Sequence, residues 1–467
     1  MTHRILSVLF LAFAGQMIGQ TAYSFSLPEA QAHAIQHSYD VQNARFDAEK
    51  ARRQVQETIS IGLPQVSGSI DYQNFIDIPT QVAPADAFGF PPYLNEFLVG
   101  VSQETGVPIN APEQDPNAIS ELQFGAPQTM TAGVSVSQLI FDGSYFVGLQ
   151  ASEAYAKLME GAIRKSEQEV KDQTAQTYYG VLVADENVDV LEQSVDLMIK
   201  TVDETKKLYA SGFMEEQDVD QLQLTLTDLQ NRLSYAQQQR DLALLMLKFN
   251  LGLSMDASVV LTDTVESLLA AEGETLQAAV FSPTTSVDYK NQEEYLTLMN
   301  LNHKNEKVKG LPSIGAFYNY QRNAQRDKFN FLDFDEKWYP IQIWGVQMNV
   351  PIWTSFQGKH RAEQARVDVE RAEMQLEQVK SGLEMEYQSA VAEYTFAQKN
   401  YDTQKASMEL AQRIFDTTQK KYQQGVSSSM DLTQAENQLL TTHGNFINAT
   451  LQLLTSRSRL NKALGRY

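Results

Sequence analysis

The spacing of apolar residues switches between two periods along this chain, and the whole succession then recurs. Over 27–61, Ala30, Ala34, Val41, Ala44, Ala48, Ala51 and Val55 return every three or four residues, with Asp47, Glu49, Lys50 and Arg52 between them. That spacing predicts a helix with one packed face, and Gly62 and Pro64 predict its end. Period two follows. In 65–75, Val66, Ile70 and Tyr72 alternate with Gln65, Ser67, Ser69, Asp71 and Gln73. In 128–141, Met130, Ala132, Val134 and Val136 alternate with Thr131, Gly133, Ser135 and Ser137. Segments of about ten residues, apolar on one side and uncharged-polar on the other, are the pattern of strands between lipid and water. A sheet half-covered by protein alternates in the same way. Aromatic residues clustered at the strand ends, Tyr72, Phe75, Phe141 and Tyr145, favour lipid.

A helical pattern then runs over 144–208, turns at Tyr209-Ala210-Ser211-Gly212 and returns over 217–251. More than sixty helical residues reach on the order of 95–100 Å, too long for one core to bury, so such rods must lie side by side. From Gly310 the order repeats. Gly310-Leu311-Pro312 answers Gly62-Leu63-Pro64, and Ile314, Ala316, Tyr318 and Tyr320 alternate with Ser313, Asn319 and Gln321. Trp344, Val346, Met348, Val350 and Ile352 alternate with Gly345, Gln347 and Asn349, amid Trp338, Tyr339, Trp353 and Phe356. Helical patterns over 356–421 and 430–464 follow, joined at Tyr422-Gln423-Gln424-Gly425, and Leu464-Gly465 answers Leu251-Gly252. Asp218 and Leu226 return as Asp431 and Leu439. A duplicated order of strands and long helices describes a wall rather than a pocket.

The division expected is a signal segment over 1–24, a first repeat over 25–252, a collar of broken pattern over 253–285 and a second repeat over 286–467. Its basis at the start is the apolar run 5–14 behind His3 and Arg4, short for a membrane span and right for a cleaved export signal, with cleavage between Gly19 and Ser24. The segment 76–127, rich in Pro, Ala, Asp and Gly, is expected to be a long surface loop inserted into the first repeat, and 321–340 its shorter counterpart. Four strands cannot close a barrel, for which about eight is the practical minimum, so the barrel must be shared among copies of the chain. Three copies would supply twelve strands around a water-filled lumen.

Composition narrows the function. The absence of cysteine excludes disulfides, lipidation on an N-terminal cysteine and Cys-based metal sites. A formal charge of −21 argues against nucleic acid, which needs clustered Lys and Arg.

These residues resemble the TolC-type outer-membrane efflux and secretion channels over nearly all of 27–465. The resemblance rests on the paired Gly-Leu-Pro entries at Gly62 and Gly310, the Tyr-x-x-Gly turn with Asp431 and Leu432 after Tyr422 and Gly425, and the Leu-Gly helix ends. It implies a mixed α+β membrane protein built by internal duplication: a homotrimer whose 12-stranded β-barrel in the bacterial outer membrane continues into a long 12-helix α-barrel in the periplasm. It also implies an exit duct of a tripartite efflux or type I secretion system, with a periplasmic adaptor, an inner-membrane pump and outer-membrane lipid as partners and no cofactor. Carried over position by position, it places Asp431 in an acidic ring at the periplasmic constriction, where a second aspartate of the family is Gln434 here. It makes Tyr422 and its acidic partner Asp218 a closed-state latch, puts Ser427 where the family often has a basic residue, and makes the turns at Gly212 and Gly425 the adaptor contact. Asp431 at a helix start reads equally as a cap.

The alternative from another class is a soluble periplasmic coiled-coil adaptor or scaffold, which accounts for the helices but not for the alternating strands. No catalytic or metal site is expected. His33 and His37 stand four apart without a third ligand, and no phosphate loop, nucleophile elbow or zinc motif is present. Asn448-Ala449-Thr450 fits a glycosylation acceptor but lies in a helical pattern.

Overall fold

The computed structural model describes residues 22–84, 92–109, 119–123, 125–270, 281–333 and 335–466. The apolar run 5–14 lies outside them. The expected signal boundary at 24 falls within the first described strand, β1 (Ala22–Phe25).

The helix expected over 27–61 is two helices, α1 (Leu27–His37) and α2 (Tyr39–Ile61). Ser38 makes the break with an extended ψ of 143°. Its N–H closes α1 on the Ala34 carbonyl, and its Oγ accepts from the Val41 N–H at 3.4 Å at the start of α2. Next come β2 (Gln65–Asn74), β3 (Thr80–Pro84), α3 (Pro92–Thr105), β4 (Ile119–Gln123) and β5 (Gln128–Phe141). The inserted segment is therefore not plain loop: β3 and β4 pair antiparallel from Thr80↔Gln123 to Pro84↔Ile119. Each is five residues long, too short to mark a period in the sequence.

The first long helix, α4 (Gly143–Ala210), and its return, α5 (Glu216–Asn250), lie within two residues of the expected bounds. The collar contains β6 (Ser258–Leu261), α6 (Val265–Ala270) and a short 3-10 turn, Pro283–Thr285. The second repeat holds α7 (Val287–Val308), β7 (Ser313–Arg326), β8 (Tyr339–Asn349), α8 (Gln357–Gln423) and α9 (Ser429–Ala463). β7 runs on through Arg326 where the sequence suggests a loop from 321, because its far half is held along β5 up to Gln128↔Arg326. No described helix is long and apolar enough to cross a membrane.

The duplication reappears as one chemical solution used four times. After α4, α5, α8 and α9, the glycines Gly212, Gly252, Gly425 and Gly465 take φ between 68° and 79°. The residue after each donates its N–H five residues back, Phe213 to Leu208, Leu253 to Lys248, Val426 to Lys421 and Arg466 to Asn461. This is the Schellman closure, which satisfies the last free carbonyls and favours a residue without Cβ.

The compact units of the chain do not coincide with its two repeats. One unit gathers the described residues up to 55, 150–304 and 361 onward; the other gathers 56–149 and 305–360. Each unit takes material from both repeats. The second is built on an antiparallel sheet in the order β2-β5-β7-β8. In the first, Tyr178 of α4 is fully buried. Its hydroxyl donates to the Phe25 carbonyl at 3.0 Å or to Asp263 at 2.9 Å, which ties β1 and the collar to α4. β1 lies parallel to β6, and the core around Tyr178 includes Phe25, Val181, Leu247, Leu251 and Leu454.

Candidate functional site

Two features are placed to carry function. The first is the four-stranded sheet, whose register makes each face continuous. Val66 pairs with Val136, Val136 with Tyr318 and Tyr318 with Trp344, so one unbroken apolar row crosses all four strands. Ile70, Ala132, Val134, Tyr320, Val346 and Met348 share that face by the two-residue alternation. It is open to the surroundings: Ile70 is 71%, Trp344 78% and Val346 64% exposed. The opposite face carries Ser67, Ser135 and Asn319 in one row, and Asn323 donates to Thr131 Oγ1 at 2.8 Å in another. Phe317 of β7 and Ile341 and Ile343 of β8 interrupt its polarity. Gly62, at the entry to β2, lies against Tyr145, where a Cβ would come within 2.3 Å of the hydroxyl. That contact accounts for glycine in the first Gly-Leu-Pro. Gly310, its counterpart, has no comparable constraint, its nearest contact being 3.6 Å away.

The second feature is the pair of helix turns at Gly212 and Gly425. Three hydrogen bonds join the repeats here. Tyr422 of α8 meets Thr205 of α4 at 2.8 Å, Ser429 of α9 donates to Asp218 of α5 at 2.6 Å, and Thr225 meets Thr433 at 3.3 Å. Around them pack Val195, Met198, Leu222, Leu226, Phe415 and Leu432. The sequence pairs Tyr422 with Asp218, but within the chain each has another partner. Burial pushes the Tyr422 phenol pKa up, the Thr205 bond opposes this, and the charge of Asp218 adds to the rise. Asp218 is otherwise engaged as a cap, its Oδ2 accepting from the Glu215 N–H at 3.3 Å.

Asp431 is the matching cap of α9. Its Oδ2 accepts from the Ser428 N–H at 3.0 Å, Ser428 Oγ at 2.8 Å and Ser427 Oγ at 3.1 Å, while its own N–H donates to Ser428 Oγ. Those donors, the Ser428 backbone first, hold its carboxyl pKa below the ordinary value. The capping role read from sequence is therefore present, and Ser427 takes part in it. Asp431 and Gln434 are both exposed, whereas Leu432, Thr433, Ala435 and Glu436 are buried. The two expected constriction residues thus share the side of α9 turned away from its packing. Gly212 and Gly425 both have open space where a Cβ would stand, and the residue after each, Phe213 and Val426, is exposed.

Thr205, Ser429, Glu436 and His443 have no motif in the sequence. Thr205 and Ser429 are ordinary helix and cap residues there; only the meeting of helices more than two hundred positions apart gives them partners. His33 and His37 stack with ring centroids 4.1 Å apart, and among the described residues no group of three or more metal-ligating side chains is assembled.

A family model described as outer membrane efflux protein matches residues 117–253 and 301–466. No curated protein matches the sequence. Among solved structures, the Campylobacter jejuni CmeC outer membrane channel superposes with a TM-score of 0.67 at 18% identity, covering 94% of this chain and 85% of that one. The outer membrane protein VceC of Vibrio cholerae gives 0.66 at 14% identity, covering 94% and 96%. The open state of the Neisseria gonorrhoeae MtrE outer membrane channel gives 0.63 at 14% identity, covering 94% and 88%. At these identities the likeness is one of fold.

Proposed function

The chain belongs to the outer membrane efflux protein family, and from that premise we propose that it is the outer-membrane exit duct of a tripartite efflux or type I secretion system. In this reading three copies close a twelve-stranded barrel and a twelve-helix tunnel. Substrate passes from periplasm to exterior without a catalytic step, driven by an inner-membrane pump through a periplasmic adaptor. The observation that carries the reading is the continuous exposed row Val66, Val136, Tyr318 and Trp344, backed by Ser67, Ser135 and Asn319 on the other face. An exposed apolar sheet face of this kind is costly in water and favourable against lipid. A soluble adaptor has no use for it, and the family match sets that alternative aside.

At the other end of the reading, Asp431 and Gln434 line the constriction. Three Asp431 carboxylates around an axis form a ring that favours cations, and Gln434 adds no second charge. The turns at Gly212 and Gly425, with Phe213 and Val426 exposed at their tips, meet the adaptor. Opening is a shift of packed helices between two arrangements, with the bonds of Tyr422 and Asp218 holding one of them.

Because the chain has no native cysteine, single cysteines report each face directly. In membranes, Ser135→Cys and Ser67→Cys should react with a charged, water-soluble thiol reagent while Val134→Cys and Val346→Cys remain protected. Equal labelling of both sets would overturn the assignment of faces.

A further inference from the structure

The side chain of Glu436 lies two helical turns beyond the cap of α9 and is 1% exposed, more deeply buried than any other charged residue described. Among the described residues it has no ion-pair partner. Its Oε1 has no hydrogen-bond partner among the described residues, and Ser194 of α4 supplies the one hydrogen bond to the carboxyl. Ala435 and Leu439, next to it on α9, belong to an apolar cluster with Val195, Leu229 and Phe415, and Val188, Leu191 and Ala236 form another. The charged side chains level with it on the neighbouring helices are exposed: Glu192 and Asp196 on α4, Asp228 and Arg232 on α5, Arg413 and Asp416 on α8. Further along, Asp185 and Glu186 on α4 and Arg240 on α5 are half-buried, and burial also raises the carboxyl pKa of Glu186. On α9 itself, Asp431 is exposed and His443, two turns further on, is buried with its Nε2 unpartnered. A carboxylate in such a place would be a bare charge in a dry seam, where leaving it unpaired is far costlier than burying a neutral acid.

We propose that Glu436 is a proton-binding site that couples the packing of α9 to pH, protonated while the helices are together and ionised when they part. Burial pushes its pKa up to about 7 from an ordinary carboxyl value of 4.5, the Ser194 bond opposing the rise, and no charged group contributes. The sign follows. Below about pH 4.5 both packed and parted states hold the proton and the site has no effect. Between about 4.5 and 7 the parted state loses its proton first, so packing weakens as pH rises, and above about 7 the weakening is complete. Full hydration of the carboxyl on parting would shift the equilibrium by about two orders of magnitude.

His443 works in the opposite direction. Burial lowers its pKa, so charging it penalises the packed state as pH falls. Below about pH 6.5 the two groups oppose each other, and above it, with His443 neutral in both states, the loss of packing belongs to Glu436 alone. The proton site stands on the packing of α9 alone; its use in gating rests on the duct reading.

The test is thermal unfolding of the full-length, detergent-purified protein from pH 5 to 8. The wild-type midpoint should fall between pH 6.5 and 7.5, and this fall should vanish in Glu436→Gln and Glu436→Met, two variants that keep the volume without the titration. His443→Gln should keep the fall and lose only the acid-side decline. A wild-type fall preserved in either foldable Glu436 variant would overturn the proposal. In planar bilayers the wild-type open fraction should rise across the same range, and that of Glu436→Gln should not. If the midpoints behave as expected and the purified protein forms no channel, the proton site stands and the duct reading fails.

Discussion

The Tyr422 hydroxyl and the Thr205 side chain meet at 2.8 Å inside the packed turn region, 217 positions apart. Thr205 Oγ1 also lies 2.8 Å from the Thr201 carbonyl, to which it donates its single proton, so Tyr422 donates and Thr205 accepts. Tyr209, the first-repeat counterpart of Tyr422, is 44% exposed where Tyr422 is 4%. The duplicated tyrosines have thus diverged, one to a buried hydrogen bond and one to the surface. Removing the Tyr422 hydroxyl by Tyr422→Phe should weaken this packing by about 1 kcal/mol, about a fivefold change in an opening equilibrium. Tyr209→Phe should change little. Thermal midpoints of the two variants and their open fractions in bilayers check both.

A pair of variants separates the capping role of Asp431 from the constriction role proposed for it. Asn keeps an acceptor oxygen for Ser428 and loses the charge; Ala loses both. Asp431→Asn should therefore keep wild-type stability while lowering cation selectivity and weakening block by multivalent cations. Asp431→Ala should show the same conductance change together with a lower thermal midpoint. Because the carboxyl pKa lies below its ordinary value, selectivity should stay constant from pH 8 down through 5 and fall only in stronger acid. Unchanged selectivity in the Asn variant would remove Asp431 from the constriction.

Four glycines share one helix-end geometry but not one environment. An Ala at Gly425 meets open space and bears only the left-handed backbone penalty, about 1 kcal/mol. At Gly252 a Cβ would stand 2.3 Å from the His37 carbonyl oxygen, so backbone must also move. Gly252→Ala should cost at least about twice as much as Gly425→Ala, read as the shift in thermal midpoint.

On the sheet, neighbouring positions should differ sharply. Val346→Arg places a charge on the apolar face and should cost about 2–4 kcal/mol if it lies near the bilayer midplane. Gln347→Arg, one residue on and facing the other way, should fold normally and alter conductance. Yields of folded protein and single-channel currents check the pair.

Much of the fold is written locally. The long helices and the first two main strands emerge within two residues because 3.6- and 2-residue periods persist over many residues, and the Schellman glycines mark the helix ends. What escaped was set by distant or brief events. The break at Ser38 depends on a cap bond that α-helical spacing does not encode. The β3–β4 ribbon is too short to show alternation, and the far half of β7 is strand only because β5 lies beside it. At the helix turns, the cap at Asp431 and the turn glycines were legible from motif order. Thr205 and Ser429 were not, since partners from the other repeat define them, and Glu436 reads in sequence as one more helical glutamate until its burial is known.

The most direct measurement of the central claim is imaging of the full-length protein extracted from membranes in detergent. The account predicts hollow, three-fold particles with a detergent belt at one end and a tube longer than the roughly 100 Å of its long helices. A water-soluble particle without a belt, or a belted particle without a central lumen, would contradict it.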